Sequence, residues 1–312
     1  MNKITIVGAG RVGESTAQFI AEKDMCREIA LLDINKGFAE GAALDIQEVA
    51  PLFNYDTRLY GGNDGSLMAG SDLIVVTAGL PRKPGMSRED LLTSNIDIID
   101  GIMDDAIKHA PDCLMLFVTN PVDVVTYYAW KKTGWPRNRI FGQAGVLDSS
   151  RMASFIAMET GYSTLDINTM VLGGHGDTMV PMHRYTTIAG IPISNFLTKE
   201  KLDEIVERTR HGGAEILALR QNSSAYDAPA ASVAEMVDAI VNDRKRILPT
   251  VSILENEYGH DEIAIGVPAV LGKNGMEEVI LLEMNDEETT MFHNSATIVQ
   301  QQIDLLKQLK NL

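Results

Sequence analysis

The stretch Lys3-Ile-Thr-Ile-Val-Gly8-Ala-Gly-Arg-Val-Gly13 decides how the chain folds. A short strand-like run passes straight into three glycines, Gly8, Gly10 and Gly13, and a helical pattern follows at once. The first glycine permits a tight turn, the second lets backbone approach a pyrophosphate, and the third allows close packing of helix on strand, with the anion at the helix N-terminus. Arg11 and Val12 fill the rest of the loop. Such a spacing is weak by itself. Here the next strand-like run ends in Leu31-Leu-Asp33, twenty residues beyond Gly13, where a ribose 2'-hydroxyl could donate to the carboxylate. A carboxylate at that place repels a 2'-phosphate, so NAD is favoured over NADP. A plain glycine turn with a surface aspartate is the competing explanation, and the order strand, glycines, helix, acid speaks for dinucleotide binding.

Working outward, near-continuous apolar runs at Ile4–Val7, Ile29–Leu32, Leu73–Thr77 and Leu114–Thr119 predict strands buried on both faces. Helical stretches at about 12–23, 37–49, 88–109 and 121–133 separate them, the βαβ rhythm of a doubly wound parallel sheet. The rhythm changes after about residue 142. A helix near 149–160, strands near 167–173 and 183–189, helices near 199–219 and 229–242, strands near 247–254, 262–267 and 277–283, and a last helix at 286–309 are expected. The fold class is therefore α/β, with a Rossmann-type dinucleotide-binding domain over 1–142 and an α+β substrate domain over 143–312. No Pro/Gly-rich linker divides them, which implies a tight interface.

The 312 residues can bury a large core, and 45% hydrophobic with 22% charged residues is the composition of a globular protein. The formal charge of −16 argues against a nucleic-acid binder, which needs a basic face. It also means that arginines meant for an anionic substrate must be clustered where low-dielectric walls focus their field. Cys26 and Cys113 have no metal-ligand or Cys-x-x-Cys spacing and read as buried reduced thiols. The histidines besides His175 have no ligand-like surroundings, so no metal is expected. The strand-like start and the lack of an apolar run of about 18 residues point away from a membrane, leaving the cytoplasm as the expected compartment.

Four segments carry the chemistry. In Leu80-Pro-Arg-Lys-Pro-Gly-Met-Ser-Arg88, Ser87 has the character of an N-cap, Arg88 opens a helix, and Arg82 rides a Pro/Gly-shaped loop able to close as a lid; from spacing alone a solvated basic loop is the competing reading. In Gly173-Gly-His-Gly-Asp177, the glycines let backbone pack closely and leave the His175 imidazole facing a cavity, although a lone histidine is more often just a hydrogen-bonded structural group. In Gly145-Val-Leu-Asp-Ser-Ser-Arg151, Asp148 and Arg151 share a helix face. They could form an ordinary helical ion pair; Asp148 could instead orient His175, and Arg151 could offer its planar fork to a substrate carboxylate. In Val118-Thr-Asn-Pro-Val-Asp123, Asn120 follows a strand end, where open α/β sheets place ligand groups, although a turn asparagine before proline would look the same.

These segments together resemble the lactate/malate dehydrogenase family, in particular its bacterial lactate-dehydrogenase-like malate enzymes, and the resemblance runs over essentially the whole chain. It implies that His175 is the proton acceptor and donor, that Asp148 orients it, and that Arg151 binds the C1 carboxylate. It implies further that Arg88 polarises the C2 oxygen and that Asn120 bonds near that oxygen and the nicotinamide. Asn95 and the Val118 to Asn120 backbone would line the cofactor site, and Asp33 would hold the adenosine ribose. Malate enzymes of the family carry arginine at the position of Arg82, for the distal carboxylate, where lactate enzymes commonly carry glutamine. The implied reaction is the NAD-dependent, reversible oxidation of (S)-malate to oxaloacetate, a step of the tricarboxylic acid cycle. A lactate or other 2-hydroxyacid dehydrogenase is the nearest alternative; an NAD-dependent glycosidase and a silent NAD sensor are more distant ones. Gln143 and Met152 depart from the family's commoner methionine and phenylalanine without touching a functional group. The resemblance implies a homo-oligomer, a homotetramer ahead of a homodimer, with the apolar faces around Ala17-Phe-Ile and Ala230–Val241 serving either a partner or the core.

Overall fold

The computed structural model describes residues 1–80 and 88–310. Its first half comprises β1 (Lys3–Val7), α1 (Arg11–Glu22), β2 (Glu28–Leu32), α2 (Lys36–Phe53), β3 (Arg58–Gly62), β4 (Leu73–Val76), α3 (Arg88–His109), β5 (Leu114–Phe117), α4 (Val122–Thr133) and β6 (Ile140–Gln143). Strands β3-β2-β1-β4-β5-β6 lie side by side in that order, and every pairing among them is parallel. The order reverses between β1 and β4. Right-handed crossovers then put the helices that follow β1 and β2 on one face and those that follow β4 and β5 on the other. The strands are consequently covered twice, and Ile4, Ile6, Ile29, Leu31, Ile74 and Val75 are fully buried.

The second half adds α5 (Gly145–Thr160), β7 (Ile167–Asn168), β8 (Val171–Gly173), β9 (Met179–Pro181), β10 (Thr187–Ile188), β11 (Ile191–Pro192), α6 (Lys199–Arg220), α7 (Asp227–Val241), β12 (Arg246–Glu255), β13 (Asp261–Gly272), β14 (Gly275–Val279) and α8 (Asp286–Lys310). β12 pairs antiparallel with β6 through Thr250 opposite Gln143, and β13, β8 and β9 continue outward. One sheet thus runs through both halves, and the 142/143 division falls within β6. Strands β7, β10 and β11 make a separate small antiparallel sheet. A second core of Met152, Ile156, Ile167, Ile188, Leu202 and Ile205 clamps α5 and α6 to it. At about 1.5–3 kcal/mol per buried aliphatic side chain, that core fixes the face of α5 that presents Asp148 and Arg151.

Two strands have little sequence signal. β3, Arg58-Leu-Tyr-Gly-Gly62, is an edge strand with an exposed first residue and a glycine pair. β6 is four residues long and includes Gly142, packed under Val122 and Thr126 of α4. Helix α2 runs past Pro51, which sits in its last turn, and ends at Asn54 in left-handed conformation (φ +59°). Helix α5 starts at Gly145, four residues ahead of the expected 149. The strand expected at 183–189 is instead a short 3-10 turn followed by the two residues of β10. Cys26 and Cys113 are buried and unbridged, and burial pushes each thiol up to about 12. Ala17, Ile20, Ala230, Val233 and Val237 lie in the core, where α1 packs on α7. Among the described residues no helix is long and apolar enough to cross a membrane.

Candidate active site

The topological reversal brings the loops after β1, β4 and β5 together. Gly8 adopts φ +105°, and an added Cβ would lie 2.6 Å from the Ala78 nitrogen. At Gly13 a Cβ would meet the Gly8 carbonyl oxygen at 1.8 Å, so only glycine lets α1 sit this close to the strand. Gly10 is different: a Cβ there meets nothing within 4 Å. Gly10 is also the N-cap of α1, and no side chain caps the helix, so no side chain takes up its first amides. Two tight glycines and one open one are what a pyrophosphate cradle requires. Asp33 lies just past β2, with Oδ2 accepting from the Ala9 N–H at 2.8 Å and Oδ1 from the Asn35 N–H at 2.8 Å. The glycine loop and the acid that the sequence places twenty residues later are therefore joined directly. The loop and the carboxylate fit the dinucleotide, with backbone amides for its phosphates and acceptor lone pairs left on Asp33 for a ribose hydroxyl.

Three helices converge on the loop that carries His175. From α5, Asp148 Oδ2 lies 2.9 Å from His175 Nδ1. From α4, Asp123 Oδ2 accepts the His175 backbone N–H at 3.2 Å. From α8, Ser295 Oγ accepts the Gly174 N–H at 2.8 Å. Asp148 is 2% exposed, and its other oxygen is 3.5 Å from Arg151 Nη1. The helical ion pair and the orientation of His175 are thus compatible readings, since one carboxylate serves both. Burial lowers the histidine's pKa, but the charge and hydrogen bond of Asp148 and the charge of Asp123 outweigh it, and the net position is raised. With Nδ1 held by Asp148, Nε2 is the ring atom left for a substrate.

A cleft of about 660 Å3 runs from Val12, Val118 and Asn120 to His175 and Arg151. That is within the usual range for small-molecule sites. Arg151 Nε is buried with no hydrogen-bond partner among the described residues. Asn95, 1% exposed, spends its amide on backbone: Oδ1 accepts from the Leu80 N–H at 2.7 Å and Nδ2 donates to the Asn120 carbonyl at 2.8 Å. It positions the lip of the cleft. The Arg11 guanidinium carbon lies 5.3 Å from the centre of the Tyr226 ring. Arg82, the Ser87 cap and the lid segment 81–87 lie outside the described residues. Arg88 is the first residue of α3, and its side chain also lies outside the described set. No group of three or more His, Cys, Asp or Glu among the described residues is placed to hold a metal ion.

Some neighbours were not singled out in the sequence. Thr77 Oγ1 donates to the Gly8 carbonyl at 3.0 Å and locks the turn. One cleft wall comes from α6, the connection after it and the start of α7, with Arg210, Gly213, Ala225 and Pro229. The pair Gly212-Gly213 inside a helix was the available signal, because α6 passes over Arg151 there and a Cβ on Gly212 would lie 3.3 Å from Arg151 Cδ. Asp123 had no signal beyond its place in the Asn-Pro segment.

Comparison with known proteins agrees with this assembly. Residues 2–142 match the model of the lactate/malate dehydrogenase NAD-binding domain, and residues 145–310 match that of the alpha/beta C-terminal domain. A malate dehydrogenase of Thioalkalivibrio sulfidiphilus is 64% identical over 307 residues, covering 98% of this chain and 100% of that protein. The apo malate dehydrogenase structure from Picrophilus torridus superposes with a TM-score of 0.96 at 43% identity, covering 100% of this chain and 99% of that one. The lactate dehydrogenase of Cryptosporidium parvum, solved with lactic acid and nicotinamide adenine dinucleotide, gives 0.94 at 34% identity, covering 98% of each chain. The backbone alone therefore does not separate the two substrates. The protein is an oxidoreductase that uses NAD, and it belongs to the lactate/malate dehydrogenase family.

Proposed function

We propose that the chain catalyses (S)-malate + NAD⁺ → oxaloacetate + NADH + H⁺, reversibly, with His175 and Asp148 as a proton relay. The contact of 2.9 Å between His175 Nδ1 and Asp148 Oδ2, on the wall of the cleft that also holds Arg151, carries the reading. The dinucleotide, held by the glycine loop and Asp33, would supply the acceptor for the C2 hydride of malate and, in its reduced form, the donor to oxaloacetate. In oxidation, His175 Nε2 takes the proton of the C2 hydroxyl while Asp148 holds the ring and stabilises the imidazolium. In reduction the same nitrogen delivers it. Arg151 grips the C1 carboxylate through its planar fork, Asn120 donates near the C2 oxygen, and Arg88 stabilises charge developing on that oxygen. Gly8, Gly10, Arg11, Val12 and Gly13 make up the cofactor-binding loop, with the open Gly10 on the phosphate side; Asp33 binds the ribose, and Asn95 and Val118 support the cofactor side.

Arg82 meets the distal carboxylate and sets malate apart from lactate. Relatives named malate dehydrogenase at up to 64% identity support that choice. The experiment is a panel followed by NADH absorbance. Oxaloacetate is expected to exceed pyruvate in kcat/KM by a large factor, and NADH to exceed NADPH because Asp33 repels a 2'-phosphate. Equal values for the two keto acids would refute the malate reading.

Self-association belongs to the same proposal, with a homotetramer ahead of a homodimer. α1 and α7 spend their apolar faces inside the monomer, but α2 exposes Phe38 (65%), Leu52 (77%) and Phe53 (57%), and Ile34 just before it is 99% exposed. Such a cluster on one segment is what a partner copy would cover. Sedimentation equilibrium is expected to give a multiple of 34.1 kDa, and a monomer at micromolar concentration would exclude it.

A further inference from the structure

Asp123 is not accounted for by the relay described so far. It lies in the first turn of α4, is 6% exposed, and faces the back of the loop that carries His175. Oδ2 accepts the His175 backbone N–H at 3.2 Å, while Oδ1 is buried with no hydrogen-bond partner among the described residues. It also lines a second cleft, of about 640 Å3, which shares Asn120 and His175 with the catalytic one and is walled by Val299 and Gln302 of α8. A buried carboxylate with an unsatisfied oxygen is costly, and an asparagine could accept the same N–H without the charge.

We propose that Asp123 is a positioning residue for the proton carrier: it holds the His175 peptide from behind so that the ring stays on Asp148, and its negative charge helps the imidazole keep a proton. The proposal rests on His175 being that carrier. Burial pushes the Asp123 carboxyl up to about 6, the His175 N–H and imidazole oppose this, and Asp148 adds to it. Above about that pH two carboxylates therefore act on His175, and below it only Asp148 does. The charged groups around Asp123 among the described residues are His175 and Asp177 on the loop and Asp148 and Arg151 on α5; α8 contributes Ile298, Val299 and two glutamines.

The test is Asp123→Asn, nearly isosteric, assayed for oxaloacetate reduction and malate oxidation across pH. Folding is checked by thermal unfolding and by NADH fluorescence. The expected outcome is a kcat for oxaloacetate reduction at neutral pH lowered by on the order of 10-fold, with KM within about threefold, since the amide can keep the N–H contact but not the charge that favours the imidazolium. The pH at which reduction falls off should move lower, because removing an anion beside an imidazolium makes it give up its proton more easily. An NMR titration of the His175 ring in wild type and variant reads the same displacement without turnover. If Asp123→Asn does not fold, Asp123→Ser, smaller and still an acceptor, takes its place in both measurements. A folded, NADH-binding variant whose pH profile and ring titration are unmoved overturns the proposal, even if its rate is lower. Failure of the underlying reading looks different: it is turnover surviving in His175→Gln.

Discussion

Replacing His175 with glutamine is expected to lower turnover in both directions by about 10²- to 10⁴-fold, the usual contribution of a positioned general acid or base. NADH binding should survive, because the glycine loop and Asp33 are built on β1 and β2, and the His175 ring's hydrogen bond goes to Asp148 on α5. Glutamine approximates the ring's volume and can still donate to Asp148, so the loss reports the missing proton transfer and not a collapsed loop. The wild type carries the matching pH signature. Oxaloacetate reduction requires the imidazolium, and Asp148 and Asp123 together hold the histidine's pKa above its usual 6.5 against the pull of burial. Reduction measured as kcat/KM is therefore at full strength at low pH and declines as pH rises through that raised value. Malate oxidation requires the neutral ring and rises through the same region. Two mirrored limbs in the wild type and none in His175→Gln are the expected pattern. A flat wild-type profile with chemistry rate-limiting would remove His175 from the role.

The features that could be read directly from the sequence are those where one residue type is forced by backbone or by charge. Gly8 and Gly13 tolerate no Cβ, so the loop left a clear trace, and Asp33 bonds to that loop through the Ala9 amide. The strands Ile4–Val7 and Leu73–Val76 are covered on both faces and therefore read as unbroken apolar runs. β3 was silent because an edge strand needs only one apolar face, and β6 because Gly142 makes room for α4. At the site, His175, Asn120 and the pair Asp148 and Arg151 come from three segments that each hold polar residues in an otherwise apolar or glycine-rich setting. Their meeting is set by long-range packing: Ser149 Oγ accepts the Val171 N–H at 3.0 Å and ties α5 to β8. No local pattern encodes that bond. Asp123 stayed hidden for the same reason, since its partner is a peptide N–H, which every residue but proline has.

Substrate choice is where a single side chain has most leverage, and Arg82→Gln is expected to show it. Oxaloacetate and pyruvate share the C1 carboxylate and the C2 carbonyl, so in the proposed site His175, Asn120, Arg88 and Arg151 would treat them alike. They differ at C3, where oxaloacetate carries a second carboxylate and pyruvate a hydrogen. An arginine facing that carboxylate makes a charge-assisted pair, whereas with pyruvate it would be buried with no partner. Breaking such a pair costs about 3–5 kcal/mol. With a factor of ten for each ~1.4 kcal/mol, kcat/KM for oxaloacetate should fall by about 10²-fold to several thousandfold in the variant. Pyruvate should gain at the same time, because the stranded cation is gone and a neutral amide tolerates a methyl group. The protein's charge of −16 sharpens the expectation, since the surface repels a dianion at long range and only local cations can offset this. The measurement is the ratio of the two kcat/KM values, which cancels any general loss from the substitution. If that ratio moves by less than about tenfold while NADH binding is intact, Arg82 does not face the second carboxylate, and specificity must come from the α6 and α7 wall around Arg210, Ala225 and Pro229.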